Sequence, residues 1–127
     1  MMKVLTIKEP WASLIVNNYK KYEFRSWKTN YRGKILIHTS STIEKSALSR
    51  FEHLNLNYQK GAIIGEAEIT ACILVDEKFN DFLLKTNNFI YGNNSKIGLY
   101  AWKLENVKIY TKPVFTKGKL GLWNYKE

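Results

Sequence analysis

Apolar and polar positions alternate or recur with two different periods along this chain. Val4, Leu5 and Ile7 form a short strand-like run at the start. Pro10 then opens a helix, because its fixed φ and missing N–H suit a first turn. Trp11, Leu14 and Ile15 share one face of that helix at i, i+3, i+4 spacing. Asn17-Asn18 is a left-handed stop. From Tyr22 to Trp27 the period drops to two. Tyr22, Phe24 and Ser26 point one way, and Glu23, Arg25 and Trp27 the other. Asn30 to Gly33 is a turn, and Lys34 to Thr39 a further strand with Ile35 and Ile37 opposite Leu36 and His38.

Beyond residue 40 the pattern predicts a helix opened by a capping box, Ser41-Thr42-Ile43-Glu44, with Ala47, Leu48, Phe51 and Leu54 as its buried stripe. Gly61 leads into a long strand region, Ala62 to Val75. Phe79, Phe82 and Leu83 mark a short helix near 78–86, and Lys85 to Lys96 reads as a flexible loop. Gly98 to Tyr110 is strand again. Pro113-Val114-Phe115 is an extended link, Lys117-Gly118-Lys119 a turn, and Leu120 to Tyr125 a closing strand. About six strands with two or three helices and no regular βαβ crossovers make an α+β domain with a curved or barrel-like sheet.

Composition narrows the function classes. The 127 residues are 45% hydrophobic and 14% aromatic, enough for one domain over 1–127 with a packed core and against disorder. Cys72 is the single cysteine and His38 and His53 the only histidines, so neither a disulfide framework nor a multi-cysteine zinc site is expected, and no metal or other cofactor is called for. Cys72 sits in an apolar strand context, as an inert buried thiol does. No apolar run approaches the roughly 20 residues of a membrane span, and no signal peptide is visible. The expectation is a cytoplasmic protein without membrane partners.

Charge changes the picture more. Twenty Lys and Arg against eleven Asp and Glu give +9. The two ends hold the excess: net +6 over residues 1–39 and +4 over 103–127, against −1 between them. If the ends meet in the fold they form a basic surface suited to a phosphate-rich partner. The plainer reading is a solubilising excess in a Lys-rich chain, since 17 of the 20 bases are lysine.

Three constellations could carry chemistry. Lys20 lies on a turn, and Glu23 and Arg25 are neighbours on one strand face. Arg25 could hold a phosphate or carbonyl oxygen in its planar fork, Glu23 could accept from an exocyclic amine, and Lys20 could act as a point charge or, if desolvated, a base. Spacing alone favours a structural ion pair. Trp11, Trp27, Trp102 and Trp123 are enough for a base-stacking wall, although core packing is the ordinary use of any one Trp. Trp27 shares a face with Glu23 and Arg25 and is the first choice for stacking. Lys117-Gly118-Lys119 is a basic turn whose glycine lets backbone N–H groups approach a phosphate; an ordinary hairpin turn fits as well. Lys28, Arg32 and Lys34 extend the N-terminal basic cluster. Ser13, His38, Thr39 and Ser40 offer hydroxyl and imidazole groups.

Several stretches carry a resemblance. Lys8-Glu9-Pro10-Trp11-Ala12-Ser13-Leu14-Ile15 resembles the opening of ASCH domains, named for homology to an activating signal cointegrator. Asn18-Tyr19-Lys20-Lys21-Tyr22-Glu23-Phe24-Arg25 matches that family's G-x-K-x-x-E-x-R signature, with Asn18 in place of glycine. Tyr31-Arg32-Gly33, Ile37-His38-Thr39-Ser40, Gly61-Ala62-Ile63-Ile64-Gly65, Tyr100-Ala101-Trp102 and Lys117-Gly118-Lys119-Leu120-Gly121-Leu122-Trp123 are similar in order. Asn tolerates the left-handed region best after glycine, so the turn survives. The resemblance implies a PUA-like fold, a small β-barrel with flanking helices, and a cleft where the signature residues meet. It turns the preference at Lys20, Glu23 and Arg25 towards function and places Trp11 near the cleft.

Two functions follow from that resemblance. One is binding of RNA, a nucleotide or a modified nucleoside by Trp11, Arg25, Trp27, His38, Lys117 and Lys119. The other is hydrolysis of the amide of N4-acetylcytidine-like nucleosides, with Lys20, Glu23 and Ser13 as catalytic candidates. The hydrolysing relatives use a Thr where the signature has Glu, and Glu23 stands there in this chain. Ser13, with Lys20 as its base, is the substitute nucleophile.

Overall fold

The structure, a computed structural model, describes residues 1–126. Six strands form one mixed sheet in the order β2-β5-β4-β3-β1-β6. They are β1 (Met2–Glu9), β2 (Tyr22–Arg25), β3 (Gly33–Ile43), β4 (Ala62–Leu74), β5 (Tyr100–Phe115) and β6 (Leu122–Tyr125). Only β1 and β3 run parallel; the other neighbours are antiparallel. Helix α1 (Trp11–Val16) follows β1, a 3-10 helix covers Lys45–Leu54, and α2 (Glu77–Tyr91) links β4 to β5.

The expected α+β architecture with six strands is present, but the sheet does not close into a barrel. Its two edges are the four-residue strands β2 and β6. Such short strands cannot pair along the length of the long β4 and β5. The β6 ladder reaches only Leu5 of β1. Just past that point a side chain spans the opening: Arg25 of β2 donates from Nη2 to the Thr6 carbonyl of β1 at 2.8 Å. A guanidinium thus bridges the seam of the curled sheet.

One core lies between α1 and the sheet, where Ala12, Ile15 and Val16 meet Leu5, Ile35, Ile37, Ile69 and Trp102. The close seat of α1 depends on Gly65. A Cβ there would lie 2.6 Å from the Lys108 carbonyl and 2.8 Å from Val16 Cγ1. A second core joins Leu14 to Phe51, Leu83, Ile90 and Tyr91 from the 3-10 helix and α2. A third packs Val4, Leu36, Ile63 and Trp123.

Local pattern and tertiary structure disagree in three places. Ser41-Thr42-Ile43-Glu44 is no capping box: Ser41 to Ile43 continue β3, and no side chain caps the 3-10 helix. The pairing of Ile43 with Glu9, and the Glu44 N–H on the Glu9 carbonyl at 2.8 Å, hold this segment extended. Of the expected stripe on the 3-10 helix beyond it, Phe51 is buried in the second core with Ala47 and Leu54 packed against it, while Leu48 is not part of that core. Helix α2 runs five residues past 86, through a non-helical Asn87, where a loop was expected. Burial of Ile90 and Tyr91 outweighs the weak helix propensity of Asn87-Asn88. Pro113-Val114-Phe115 belongs to β5, with Val114 and Phe115 paired to Ile63 and Ala62.

No helix among the described residues is long and apolar enough to cross a membrane. No group of three or more His, Cys, Asp or Glu among them is placed to hold a metal ion.

Candidate functional site

The turn after α1 sets the site. Asn18 has φ 65, in the left-handed region. Tyr19 and Lys20 then donate their backbone N–H groups to the Leu14 carbonyl at 2.9 and 3.0 Å, which closes the helix end. This turn drives Lys20 inward, to 2% exposure. Its ammonium donates to the Tyr22 carbonyl and to Glu23 Oε1, the latter at 3.1 Å. It also lies 4.9 Å from the Phe24 ring centroid and 5.9 Å from that of Trp11.

Glu23 accepts from both sides, with Oε2 3.0 Å from Arg25 Nη2. Burial acts to raise its pKa, but Lys20 and Arg25 outweigh burial and hold the carboxyl below its ordinary value. Burial in turn lowers the pKa of Lys20, opposed by Glu23. Oε1 accepts from Lys20 and Oε2 from Arg25, and each carboxylate oxygen has a second lone pair, so each keeps acceptor capacity. Arg25 Nε is buried with no hydrogen-bond partner.

Glu23, Arg25 and Trp27 line a cavity of about 470 Å³, together with Trp11, Lys8, Phe24 and Lys119. Trp27 is 39% exposed and stands edge-on to Trp102, with ring centroids 4.6 Å apart. The Trp102 indole N–H donates to the Trp27 carbonyl at 3.3 Å, which fixes the backbone there. Trp102 itself is fully buried and Trp123 nearly so, and both belong to cores. Trp11 packs edge-on against Phe51. Tyr22 and Phe24 pack on Tyr91.

The remaining sequence candidates are placed differently. Ser13 is not joined to Lys20. Its hydroxyl donates to Glu9 Oε2 at 2.5 Å and its N–H to Glu9 Oε1 at 2.8 Å. Ser13 lines a separate cavity beside Asn57 and Gln59. His38 is 1% exposed. Its Nε2 lies 2.7 Å from the Thr116 carbonyl, which can only accept, so Nε2 carries a proton. In neutral His38, Nδ1 then accepts from the Thr6 hydroxyl at 3.0 Å, and that hydroxyl accepts from the Trp123 indole at 2.9 Å. Thr39 bonds the backbone of Ala62. Lys117 and Lys119 flank a neighbouring cavity with Ser40, and Lys119 also reaches the first. Lys34 pairs with Glu66 at 3.0 Å, and Arg32 donates to the carbonyls of Thr29 and Tyr31, so neither faces the cavity. Cys72 is half-buried.

Two residues went unassigned in the sequence. Thr6 ties the seam to His38 and Trp123, and nothing local announces it. Glu9 is a fully buried carboxylate whose partners, Ser13 and Gln59, are all neutral. Its signal is a carboxylate four residues ahead of a serine, across a helix start.

A family model described as "ASCH domain" matches residues 5–114. Activating signal cointegrator 1 of Homo sapiens is 36% identical over 55 residues, covering 43% of this chain and 9% of the human protein. The chain therefore matches only a small part of that relative's length. The crystal structure of ASCH from Zymomonas mobilis superposes with a TM-score of 0.56 and that of a tyrosine-to-phenylalanine mutant of it with 0.55. Identity is 16% in both, over 90% of this chain and 73% and 75% of theirs. The likeness is one of fold, and it fits a PUA-like arrangement.

Proposed function

Because this chain belongs to the ASCH domain family, we propose that it binds RNA or a nucleotide in the cavity over β2. The observation that carries the reading is the convergence of Glu23 and Arg25 on β2, and of Trp27 just beyond the strand's end at Arg25, with Trp11, Lys8 and Lys119 from three other segments. Trp27 offers a stacking face, worth about 1–3 kcal/mol per base. Ionised Glu23 has lone pairs for an exocyclic amine. Arg25, Lys8 and Lys119 supply cationic donors for phosphate or carbonyl oxygens.

Hydrolysis of N4-acetylcytidine ranks second. The observation in its favour is the burial that lowers the Lys20 pKa. Against it, Lys20 is already engaged by Glu23 and the Tyr22 carbonyl, and Ser13 by Glu9. A hydroxyl nucleophile beside Lys20 is what the hydrolase reading lacks.

Single-stranded RNA should bind at low salt and be released as salt rises, with a log–log slope near −0.7 for each phosphate neutralised. Trp27→Ala should weaken binding about tenfold, a change of about 1.4 kcal/mol, and Arg25→Met by a similar amount. Fluorescence anisotropy reads both. Absence of binding by the wild type at low salt sinks the reading. N4-acetylcytidine turnover abolished by Lys20→Ala would put the hydrolase first.

A further inference from the structure

The cavity over β2 has a neighbour. Thr6, Ser40, Lys119 and Leu120 line it and also line a second cavity of about 680 Å³. The two chambers differ in chemistry. The first has indole faces and the Arg25–Glu23 pair. The second has Ser40, Ser41, Lys117 and Lys119 around it, with no Asp or Glu in its lining. A phosphate is best placed among cations and hydroxyls away from carboxylates, and a base among aromatic faces and mixed donors and acceptors.

The turn between Thr116 and Leu122 forms the partition. Gly118 pins it: a Cβ there would lie 2.7 Å from His38 Cε1 and 2.8 Å from Thr6 Oγ1, so this backbone seat requires glycine. From that pinned point the chain lifts Leu120 to 98% exposure, and Gly121, at φ 66, turns it back towards β6. A lone exposed leucine is ordinary on a protein surface. This one stands between two cavities, next to Lys119, with its side chain free of any core.

We propose that the site takes two consecutive nucleotides of single-stranded RNA, with the linking phosphate on Lys119 at the partition and Leu120 wedged between the two bases. The inference rests on the nucleotide-binding reading above and specifies its ligand. Each cavity by itself falls within the roughly 300–1,000 Å³ of small-ligand sites, so a free nucleoside occupies one chamber and leaves the other empty. An apolar side chain inserted between neighbouring bases unstacks them and covers both faces. The second nucleotide then lies towards Lys117 and the two serines.

The test is calorimetric titration of the full chain with three ligands of the same base: a nucleoside 5′-monophosphate, the 3′,5′-bisphosphate and a 5′-phosphorylated dinucleotide. All four bases are tried at one salt concentration. The dinucleotide should bind about tenfold tighter than the bisphosphate, which carries comparable phosphate charge without a second base; that factor corresponds to one added stacking contact. Leu120→Ser should erase that margin, weakening the dinucleotide about tenfold more than the bisphosphate. Leu120 touches no core, so the variant folds. Equal wild-type affinity for bisphosphate and dinucleotide, or a Leu120→Ser that weakens all three ligands alike, overturns the two-nucleotide site and leaves nucleotide binding standing. Failure of all three and of longer RNA to bind overturns both.

Discussion

Glu9 closes β1 and Glu23 lies on β2, and the protein buries both carboxyls while treating them in opposite ways. Glu23 is flanked by Lys20 and Arg25, and its pKa is lowered although burial works against that. Glu9 receives three hydrogen bonds from neutral donors, the Ser13 N–H and hydroxyl and the Gln59 N–H. Burial there outweighs the donors, and its pKa is raised. Hydrogen bonds from neutral groups can orient a carboxylate and still leave its charge short of compensation; adjacent cations compensate the charge itself. The compensated carboxylate lines the β2 cavity, where an ionised acceptor can face a ligand. The uncompensated one anchors α1 and the segment around Gln59 to the end of β1.

The sharpest way to break this contrast is to remove a cation from Glu23. Lys20→Met should cost about 3–5 kcal/mol, because it leaves a buried carboxylate with Arg25 as its remaining charged partner. The double variant Lys20→Met with Glu23→Gln should recover much of the loss, since no buried carboxylate then remains and the partly exposed Arg25 keeps its bond to the Thr6 carbonyl. Urea unfolding measures both. A single-variant cost under about 1 kcal/mol would mean that Arg25 compensates Glu23 alone, and the contrast would rest on one cation.

The two carboxylates also differed in how readable they were. Strand parity from Tyr22 to Trp27 puts Glu23 and Arg25 on one face, because a period of two is a local property of the chain. Asn18 in the left-handed region follows from local sterics in the same way. Glu9 was invisible as a buried group, since one of its donors comes from Gln59, fifty residues away. The bridge from Arg25 to the Thr6 carbonyl exists because the whole sheet curls, and no window of sequence holds that curl. Ser41 to Glu44 shows the opposite error: a sound local cap pattern is overridden by pairing with Glu9. The separation of Ser13 from Lys20 belongs with these, for the hydroxyl went to a carboxylate whose burial the sequence did not disclose.

Replacement by glutamine tests the second half of the contrast. Glu9→Gln places an amide NH₂ among three donors and should cost about 1–3 kcal/mol. Its pH dependence should run opposite to that of Glu23→Gln. The folded-state pKa of Glu9 is raised, so its ionisation-linked stability is complete below about pH 4.3 and is lost as pH rises through the folded value. The cost of Glu9→Gln is therefore greatest in acid and shrinks towards neutrality. For Glu23 the folded pKa is lowered; its contribution is present above about pH 4.3 and is lost as pH falls through the folded value. The cost of Glu23→Gln shrinks in acid. Unfolding curves across pH 3–7 should therefore diverge, about these ordinary values; parallel profiles would remove the distinction.

The smallest change trims one donor. Ser13→Ala removes the hydroxyl 2.5 Å from Glu9 Oε2 and leaves the N–H groups of Ser13 and Gln59 in place. A single such bond is worth about 1 kcal/mol net. The hydroxyl lowers the Glu9 pKa, against burial, so its loss should move the Glu9 titration upward. Glu23 has no bond to Ser13 and should not shift. Carbon-detected NMR of the two carboxyl groups resolves them in one experiment. An unmoved Glu9 midpoint would show that the hydroxyl serves the protonated and ionised carboxyl equally, donating to one and accepting from the other. An upward shift confined to Glu9, with RNA affinity unchanged, would place Ser13 in the anchor of α1 and outside the cavity chemistry, where its lining position already puts it.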